Sequence, residues 1–109
     1  MKKDSQIYLK DIQEAVSRIE IYTKGINQIK FSSDLMMQDA VIRQLEIIGE
    51  AAGKLDEEFL KNNPGFPARE ASAMRNILIH EYNYVNIEQV WKTVREDLPR
   101  LKEALGAIV

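Results

Sequence analysis

The chain has a single histidine, His80, which lies five residues after Arg75 and two residues before Tyr82. An α-helix advances about 100° per residue, so Arg75, Asn76 and His80 would fall within about 140° of one helix face. The opposite arc carries mostly apolar side chains, which suits packing. The segment therefore combines a packing face with a face that groups a guanidinium, an amide and an imidazole.

These side chains have two interpretations. An arginine offers a permanently charged planar fork for a phosphate, and a histidine gains or loses a proton near neutral pH. Cleavage of RNA without a metal needs a general base, a general acid and a cation for the charge on the phosphate oxygens. A single Arg75 and a single His80 supply only half of that set. The other interpretation is an exposed helix face whose polar side chains are only solvated.

The sequence R-N-I-L-I-H-E-Y, from Arg75 to Tyr82, resembles the R-x-x-x-x-H-x-Y motif of HepT-like proteins, the minimal nuclease toxins of the HEPN superfamily. Asn76 matches the polar residue that usually follows the arginine. The segments V-I-R-Q-L-E-I-I-G-E-A-A from Val41 to Ala52 and V-W-K-T-V-R-E-D-L-P-R-L from Val90 to Leu101 also look like this family. The resemblance thus covers nearly the whole chain.

The resemblance implies a metal-independent endoribonuclease that needs no cofactor and is toxic to its host when unopposed. Within the motif, Arg75 would stabilise phosphate charge, His80 would transfer protons, and Asn76 would orient the backbone or the substrate. The resemblance also implies a cognate antitoxin of the MntA type, a minimal nucleotidyltransferase that silences the toxin by transferring AMP to Tyr82. Tyr84 is the nearest rival acceptor, and Tyr82 could instead be a half-buried ring that packs on the last helix.

Ile79 would fall between Arg75 and His80 on the polar face, and contact with another chain is the simplest reason for an apolar residue there. A two-fold homodimer would bring two copies of Arg75 and His80 together and complete the acid and base set. HEPN nucleases are similar in this respect. The competing function is a non-catalytic helical module that docks a nucleotidyltransferase and presents a substrate to it. A purely structural interaction domain is a third hypothesis.

Composition and charge narrow the class of protein. The 109 residues predict one domain, 1–109, and a net charge of −2 with a pI near 5.4 argues against broad electrostatic binding of nucleic acid. An RNA substrate would therefore need a local cluster of positively charged side chains, and no DNA partner is expected. Since the sequence has no cysteine, no segment like a signal peptide and no apolar run of membrane length, we expect a cytoplasmic protein that does not bind membranes.

Helical spacing of apolar residues predicts an all-α, up-and-down four-helix bundle, with room for a short extra helix at the C-terminus. The first helix would run to about Lys30, with a turn at residues 31–33, and the second would span about residues 34–60. After a loop rich in Asn and Pro, the third helix would run from Pro67 to about Glu81.

The fourth helix would be capped by Asn86, with Gln89 three residues later, and Pro99 would kink or restart it near Asp97. Trp91 in this helix is predicted to be buried. The predicted core positions are Tyr8, Ile12, Ala15, Ile19, Tyr22, Ile26 and Ile29 in the first helix, Leu35, Val41, Leu45, Ile48, Ala52, Leu55 and Phe59 in the second, and Val90, Val94, Leu98, Leu101 and Leu105 in the last.

Two further patterns mark the second predicted helix. Gly49 and Gly53 lie four residues apart on one face, a spacing that permits close approach of another helix. Charged residues alternate in sign along another face, namely Asp39, Arg43, Glu46, Glu50 and Lys54. Such a ladder of opposite charges is typical of a solvated or interface surface, so we do not expect the two glutamates to bind a metal.

Overall fold

The computed structural model describes residues 3–76 and 86–108, and every regular element within these ranges is helical. The elements are α1 (Lys3–Thr23), α2 (Gln28–Ser33), α3 (Leu35–Gly53), α4 (Glu57–Asn62), α5 (Ala68–Ala73), α6 (Ile87–Lys92), a π-helical segment (Thr93–Asp97) and α7 (Leu98–Ile108). The prediction of an all-α helical bundle is confirmed.

The two longest helices, α1 and α3, pack along each other, and α5 packs against α3. At one end of the α1–α3 pair, the hydroxyl of Ser5 accepts a hydrogen bond at 3.2 Å from the backbone N–H of Asp56, just beyond α3. At the same end, the ammonium of Lys54 lies 5.7 Å from the centre of the Tyr8 ring. The start of α1 therefore lies beside the end of α3, and the two helices run antiparallel.

The first helix ends at Thr23, so the prediction that it runs to Lys30 is wrong. Gly25 adopts a φ of 72°, a left-handed conformation that favours glycine and stops the helix. The side chain of Asn27 then accepts a hydrogen bond from the backbone of Lys30 at 2.9 Å and begins a new helix, α2. Residues 31–33, predicted as a turn, are the last residues of α2.

The second predicted helix is also divided in two. It ends at Gly53 rather than near residue 60, and Asp56 begins α4 by accepting a hydrogen bond from the backbone of Phe59 at 2.7 Å. The third predicted helix starts as expected after Pro67, and α5 ends at Ala73. The prediction of one unbroken helix through Arg75 is therefore wrong, because Met74 and Arg75 form a turn. The predicted part from residue 77 to Glu81 lies outside the described residues.

The predicted signals in the C-terminal part are confirmed. The side chain of Asn86 accepts a hydrogen bond from the backbone N–H of Gln89 at 3.1 Å and caps α6. Ahead of Pro99 the chain widens into the π-helical segment, where the N–H of Leu98 donates to the carbonyl of Thr93. Proline has no N–H and cannot donate the hydrogen bond that an α-helical turn needs, and irregular turns are common beside such a residue.

The core matches the predicted positions at most sites. The predicted positions that are buried in the core are Ile12, Ala15, Ile19, Val41, Leu45, Ile48, Ala52, Leu55, Phe59, Val90, Val94, Leu98, Leu101 and Leu105. Trp91 is buried as predicted, and its ring centre lies 5.0 Å from that of Phe31. Ile29 and Leu35 are wrong predictions, because they are 80% and 74% exposed. Ile29 belongs to the separate helix α2, whose buried residue is Phe31, and Leu35 is the first residue of α3.

Candidate functional site

Arg75 lies just after α5, in a segment that the hydrophobic core holds in place. α5 ends at Ala73, and the next residue, Met74, is buried. The backbone N–H of Met74 donates to the carbonyl of Ala71 at 3.2 Å, which continues the turn. Met74 is anchored in the core, and the two residues that follow it lie closer to the surface. The side chain of Arg75 is 40% exposed, and Asn76 is exposed.

The closest approach between α3 and the Arg75 segment is at Gly49. A Cβ atom on Gly49 would lie 2.7 Å from the Cβ of Arg75 and 2.9 Å from its backbone nitrogen, so a side chain there would push Arg75 away. At Gly53, one turn later, the same atom would lie 3.5 Å from the hydroxyl of Ser72, which is ordinary van der Waals contact. The predicted close approach at the glycine pair is confirmed, and it is tight at Gly49 alone.

Glu50 directly follows this glycine and contacts the charged end of Arg75. The carboxylate Oε1 accepts a hydrogen bond from Nη1 of Arg75 at 3.4 Å, and the two side chains are 59% and 40% exposed. A long ion pair in water of this kind contributes only about 0–1 kcal/mol to stability. A guanidinium has five N–H donors, so this single contact leaves most of its donors able to bind a phosphate.

The stem of Arg75 is more buried than its charged end. Its Nε is buried, and it has no hydrogen-bond partner among the residues that the structure describes. A buried donor without an acceptor raises the free energy of the folded protein. Arg75 therefore presents a partly unsatisfied cation at the surface, anchored by Gly49 and contacted on one edge by Glu50.

Two of the four predicted site residues, Arg75 and Asn76, lie within the described part of the structure. Arg75 and Asn76 are consecutive and both reach the surface. His80 and Tyr82, together with the rival acceptor Tyr84, lie outside the described residues. The roles of all these residues, and the dimer contact predicted at position 79, stay predictions.

The contact of Glu50 with Arg75 was not predicted from the sequence. Glu50 belongs to the ladder of opposite charges along α3, where nothing in the sequence distinguishes it from Glu46. The available signal was the dipeptide Gly49-Glu50, because a glycine that admits a neighbouring backbone also brings the next side chain close to that neighbour. The partner itself was hidden, since Arg75 is 25 residues away in sequence.

The described residues show no sign of a metal site or of a membrane-spanning helix. Within residues 3–76 and 86–108, no group of three or more His, Asp or Glu side chains is arranged to hold a metal ion. None of the helices described is long and apolar enough to cross a membrane.

Among the described residues the fold is all-helical, and a half-exposed arginine is held against α3. Comparison with known families gives the class of protein. The family model described as "Ribonuclease HepT-like" matches residues 12–108. The chain therefore belongs to the HepT-like ribonuclease family.

Individual relatives agree with this assignment. A protein of Thermococcus cleftensis named "Probable ribonuclease HepT" is 46% identical over 102 residues, which are 94% of this chain and 93% of that protein. A Methanocaldococcus jannaschii protein named "Gamma-glutamylcyclotransferase and putative RNase" is 43% identical over 109 residues, which are 100% of this chain and 49% of that protein. Another protein of that organism, named "Putative RNase", is 39% identical over 107 residues, 98% of each chain. No solved structure matches this chain.

Proposed function

We propose that the protein is a metal-independent endoribonuclease in which Arg75, Asn76 and His80 carry the reaction. The observation that supports this most directly is Arg75 itself, whose backbone is fixed against Gly49 while its charged end stays at the surface. Arg75 binds the scissile phosphate and stabilises the charge that develops on its oxygens. His80 transfers the proton between the attacking 2′-hydroxyl and the leaving oxygen, and Asn76 orients the backbone or the substrate.

Completion of this site requires a second copy of the chain. Cleavage needs both an acid and a base, whereas each chain has a single histidine. A two-fold homodimer with the sites at its seam supplies His80 and Arg75 twice. We expect a dimer by light scattering, and a protein that cleaves RNA while strictly monomeric would contradict the composite site.

Incubation of the purified protein with RNA in the presence of EDTA tests the reaction. We expect cleavage to survive chelation and to fall by about 100-fold or more in both Arg75→Ala and His80→Ala, because each removes a group that acts in the transition state. Arg18→Ala is the matched control, since it removes an exposed arginine of α1. Circular dichroism should show that all three variants keep the helical fold.

The main alternative is a non-catalytic helical module that docks a nucleotidyltransferase and presents a substrate to it. The RNA cleavage assay, together with a measurement of binding to the nucleotidyltransferase, separates the two functions. A preparation that binds the nucleotidyltransferase but leaves RNA intact under every metal condition would favour the module. Cleavage that requires an added divalent cation would contradict metal independence alone.

The family likeness also supports a place in a toxin–antitoxin pair. In this proposal the partner is an MntA-type nucleotidyltransferase, which transfers AMP to Tyr82, forming a phosphodiester on the phenolic oxygen and releasing pyrophosphate from ATP. The attached group brings bulk and negative charge two residues from His80, where RNA phosphate must bind, so cleavage stops.

Co-expression with the nucleotidyltransferase, followed by peptide mass spectrometry, tests this regulation. We expect adenylate on Tyr82, no RNA cleavage by the modified protein and no modification of Tyr82→Phe. Tyr84→Phe is the control for the rival acceptor. Adenylate that persists in Tyr82→Phe would contradict the assignment of the tyrosine and leave the nuclease function standing.

A further inference from the structure

A groove between α1 and α3 adjoins Arg75 and has no role in the reaction proposed above. Its volume is about 270 Å³. It is lined by Tyr8, Asp11, Arg43, Ile47, Glu50, Ala51 and Lys54. Glu50 belongs to both places, because the residue lines the groove while its carboxylate contacts Arg75. The groove is therefore continuous with the candidate site.

The α3 wall of this groove carries a cation at each end. Arg43 and Lys54 are exposed, and their separation of eleven residues corresponds to roughly 16 Å along the helix axis. The lining itself balances these two cations with two carboxylates, Asp11 and Glu50, and the neighbouring Arg75, which pairs with Glu50, adds one positive charge. In a chain of net charge −2, this local excess of one positive charge favours the binding of phosphate.

Between these cations the groove is apolar and aromatic. Ile47 and Ala51 contribute aliphatic surface from α3, and Tyr8 contributes its ring from α1. The ammonium of Lys54 lies 5.7 Å from the centre of that ring, so the aromatic face helps to position the cation. Cations that follow a phosphate backbone, with aromatic and apolar surface for the bases, are the means by which proteins bind single-stranded nucleic acid.

The second carboxylate of the groove, that of Asp11, also fits this ligand. Asp11 would repel a phosphate, but a carboxylate accepts hydrogen bonds from the exocyclic amino groups of bases. A single strand can turn its bases toward one wall and its phosphates toward another, whereas double-stranded RNA is bound through its shape across successive grooves.

We propose that the groove between α1 and α3 binds single-stranded RNA beside the phosphate that is cleaved at Arg75. Arg43 and Lys54 bind phosphates of the flanking nucleotides, and the surface formed by Tyr8 and Ile47 receives a base. This inference rests on the proposed ribonuclease function and deepens it. It names the substrate as single-stranded RNA that extends beyond the cleaved bond.

Binding of a labelled single-stranded RNA of about twelve nucleotides tests the inference, with fluorescence anisotropy as the readout. The protein carries His80→Ala so that the RNA is not cut. Adding Arg43→Gln and Lys54→Gln together should weaken binding about tenfold and reduce the slope of log K against log salt by about 1.4, since each lost phosphate contact accounts for about 0.7.

Charge alone is controlled by Lys24→Gln with Lys61→Gln, which removes two exposed lysines outside the groove. This control should change the affinity by less than about twofold, because distant exposed charges are screened by salt. A second readout is crosslinking with RNA that contains 4-thiouridine, which should attach to the peptides of α1 and α3 that line the groove. Variants of exposed residues should keep the helical circular dichroism spectrum.

The outcomes separate this inference from the function on which it rests. Equal RNA affinity in the groove variant and the lysine control, with cleavage by the wild-type protein intact, would overturn the groove site alone. Normal RNA binding by a groove variant that no longer binds the nucleotidyltransferase would identify a protein-docking surface instead and overturn the proposal. RNA binding that depends on the groove, in a wild-type protein that cleaves no RNA, would support the groove and contradict the ribonuclease function.

Discussion

Two neighbouring residues of α3 hold Arg75, and they do so by different physical means. At Gly49 the backbone of α3 lies against the backbone nitrogen and the Cβ of Arg75, so close that a single added carbon would lie 2.7 Å from that Cβ. At Glu50 the contact is an ion pair of 3.4 Å between side chains that are 59% and 40% exposed. The first contact leaves no space for an added side chain, whereas the second is solvated and easily rearranged.

The difference separates two properties of the site. Gly49 follows Ile48, which is fully buried, so the position of the Arg75 backbone is tied to the packing of the core. The ion pair with Glu50 acts on the end of a long flexible side chain and is weakened by salt. Packing therefore determines where the arginine is, and the carboxylate only restricts how its charged end is oriented.

Gly49→Ala should have the largest effect of the substitutions in α3. The new methyl group gains about 1 kcal/mol of helix propensity, but it displaces the backbone of Arg75 and overpacks the contact at about 1–3 kcal/mol. We expect a net loss of up to about 2 kcal/mol in the free energy of unfolding. Cleavage of RNA should fall at least tenfold, since misplacement of a catalytic group by about 1 Å can cost 100-fold.

Urea denaturation followed by Trp91 fluorescence measures the stability of this variant, and a cleavage assay well below the denaturation midpoint measures its activity. The two readouts must be compared in folded protein. If Gly49→Ala were as stable and as active as the wild type, the backbone contact would not fix Arg75 and the comparison with Glu50 would fail.

Glu50→Ala should have the opposite pattern, with an effect on activity and almost none on stability. Because the pair is exposed, its loss should change the free energy of unfolding by less than about 0.5 kcal/mol. Without the carboxylate the guanidinium samples more rotamers, so kcat should fall by about twofold, the factor that about 0.5 kcal/mol corresponds to. Glu46→Ala, one turn earlier in α3, is the matched control and should leave kcat unchanged. A loss of kcat in both variants would point to the general charge of α3 rather than to the pair.

The sequence was sufficient to predict the helical class and most of the core, because apolar residues such as Val41, Leu45 and Ile48 repeat at helical spacing regardless of where a helix ends. Helix ends were harder to predict. Ile26 and Ile29 continue the apolar stripe of α1, and that stripe concealed the stop at Gly25 and the new cap at Asn27. A periodic pattern reports the spacing of residues, whereas a helix end depends on one or two local hydrogen bonds.

The candidate site was predictable in a different way. Arg75 and Asn76 were predicted as site residues from residue type and spacing within one short segment, which local sequence can show. Their surroundings were not predictable, since Gly49 and Glu50 come from a helix about 25 residues earlier. Which residue of one helix faces which residue of another is determined by packing, and packing is a property of the whole chain.

Gly53→Ala should have the smallest effect and the opposite sign. Gly53 is the last residue of α3, and a Cβ atom there would lie 3.5 Å from the hydroxyl of Ser72, which is a normal contact. Alanine has fewer conformations than glycine in the unfolded chain, so the free energy of unfolding should rise by about 0.4–1 kcal/mol. RNA cleavage should be unchanged, because this position does not touch Arg75.

Gly49→Ala makes the same chemical change one turn earlier in α3. If urea denaturation shows a lower free energy of unfolding for Gly49→Ala and a higher one for Gly53→Ala, the loss of stability comes from contact with Arg75 and not from replacing a glycine. A loss of stability in Gly53→Ala would mean that α3 and α5 pack as tightly there as at Gly49.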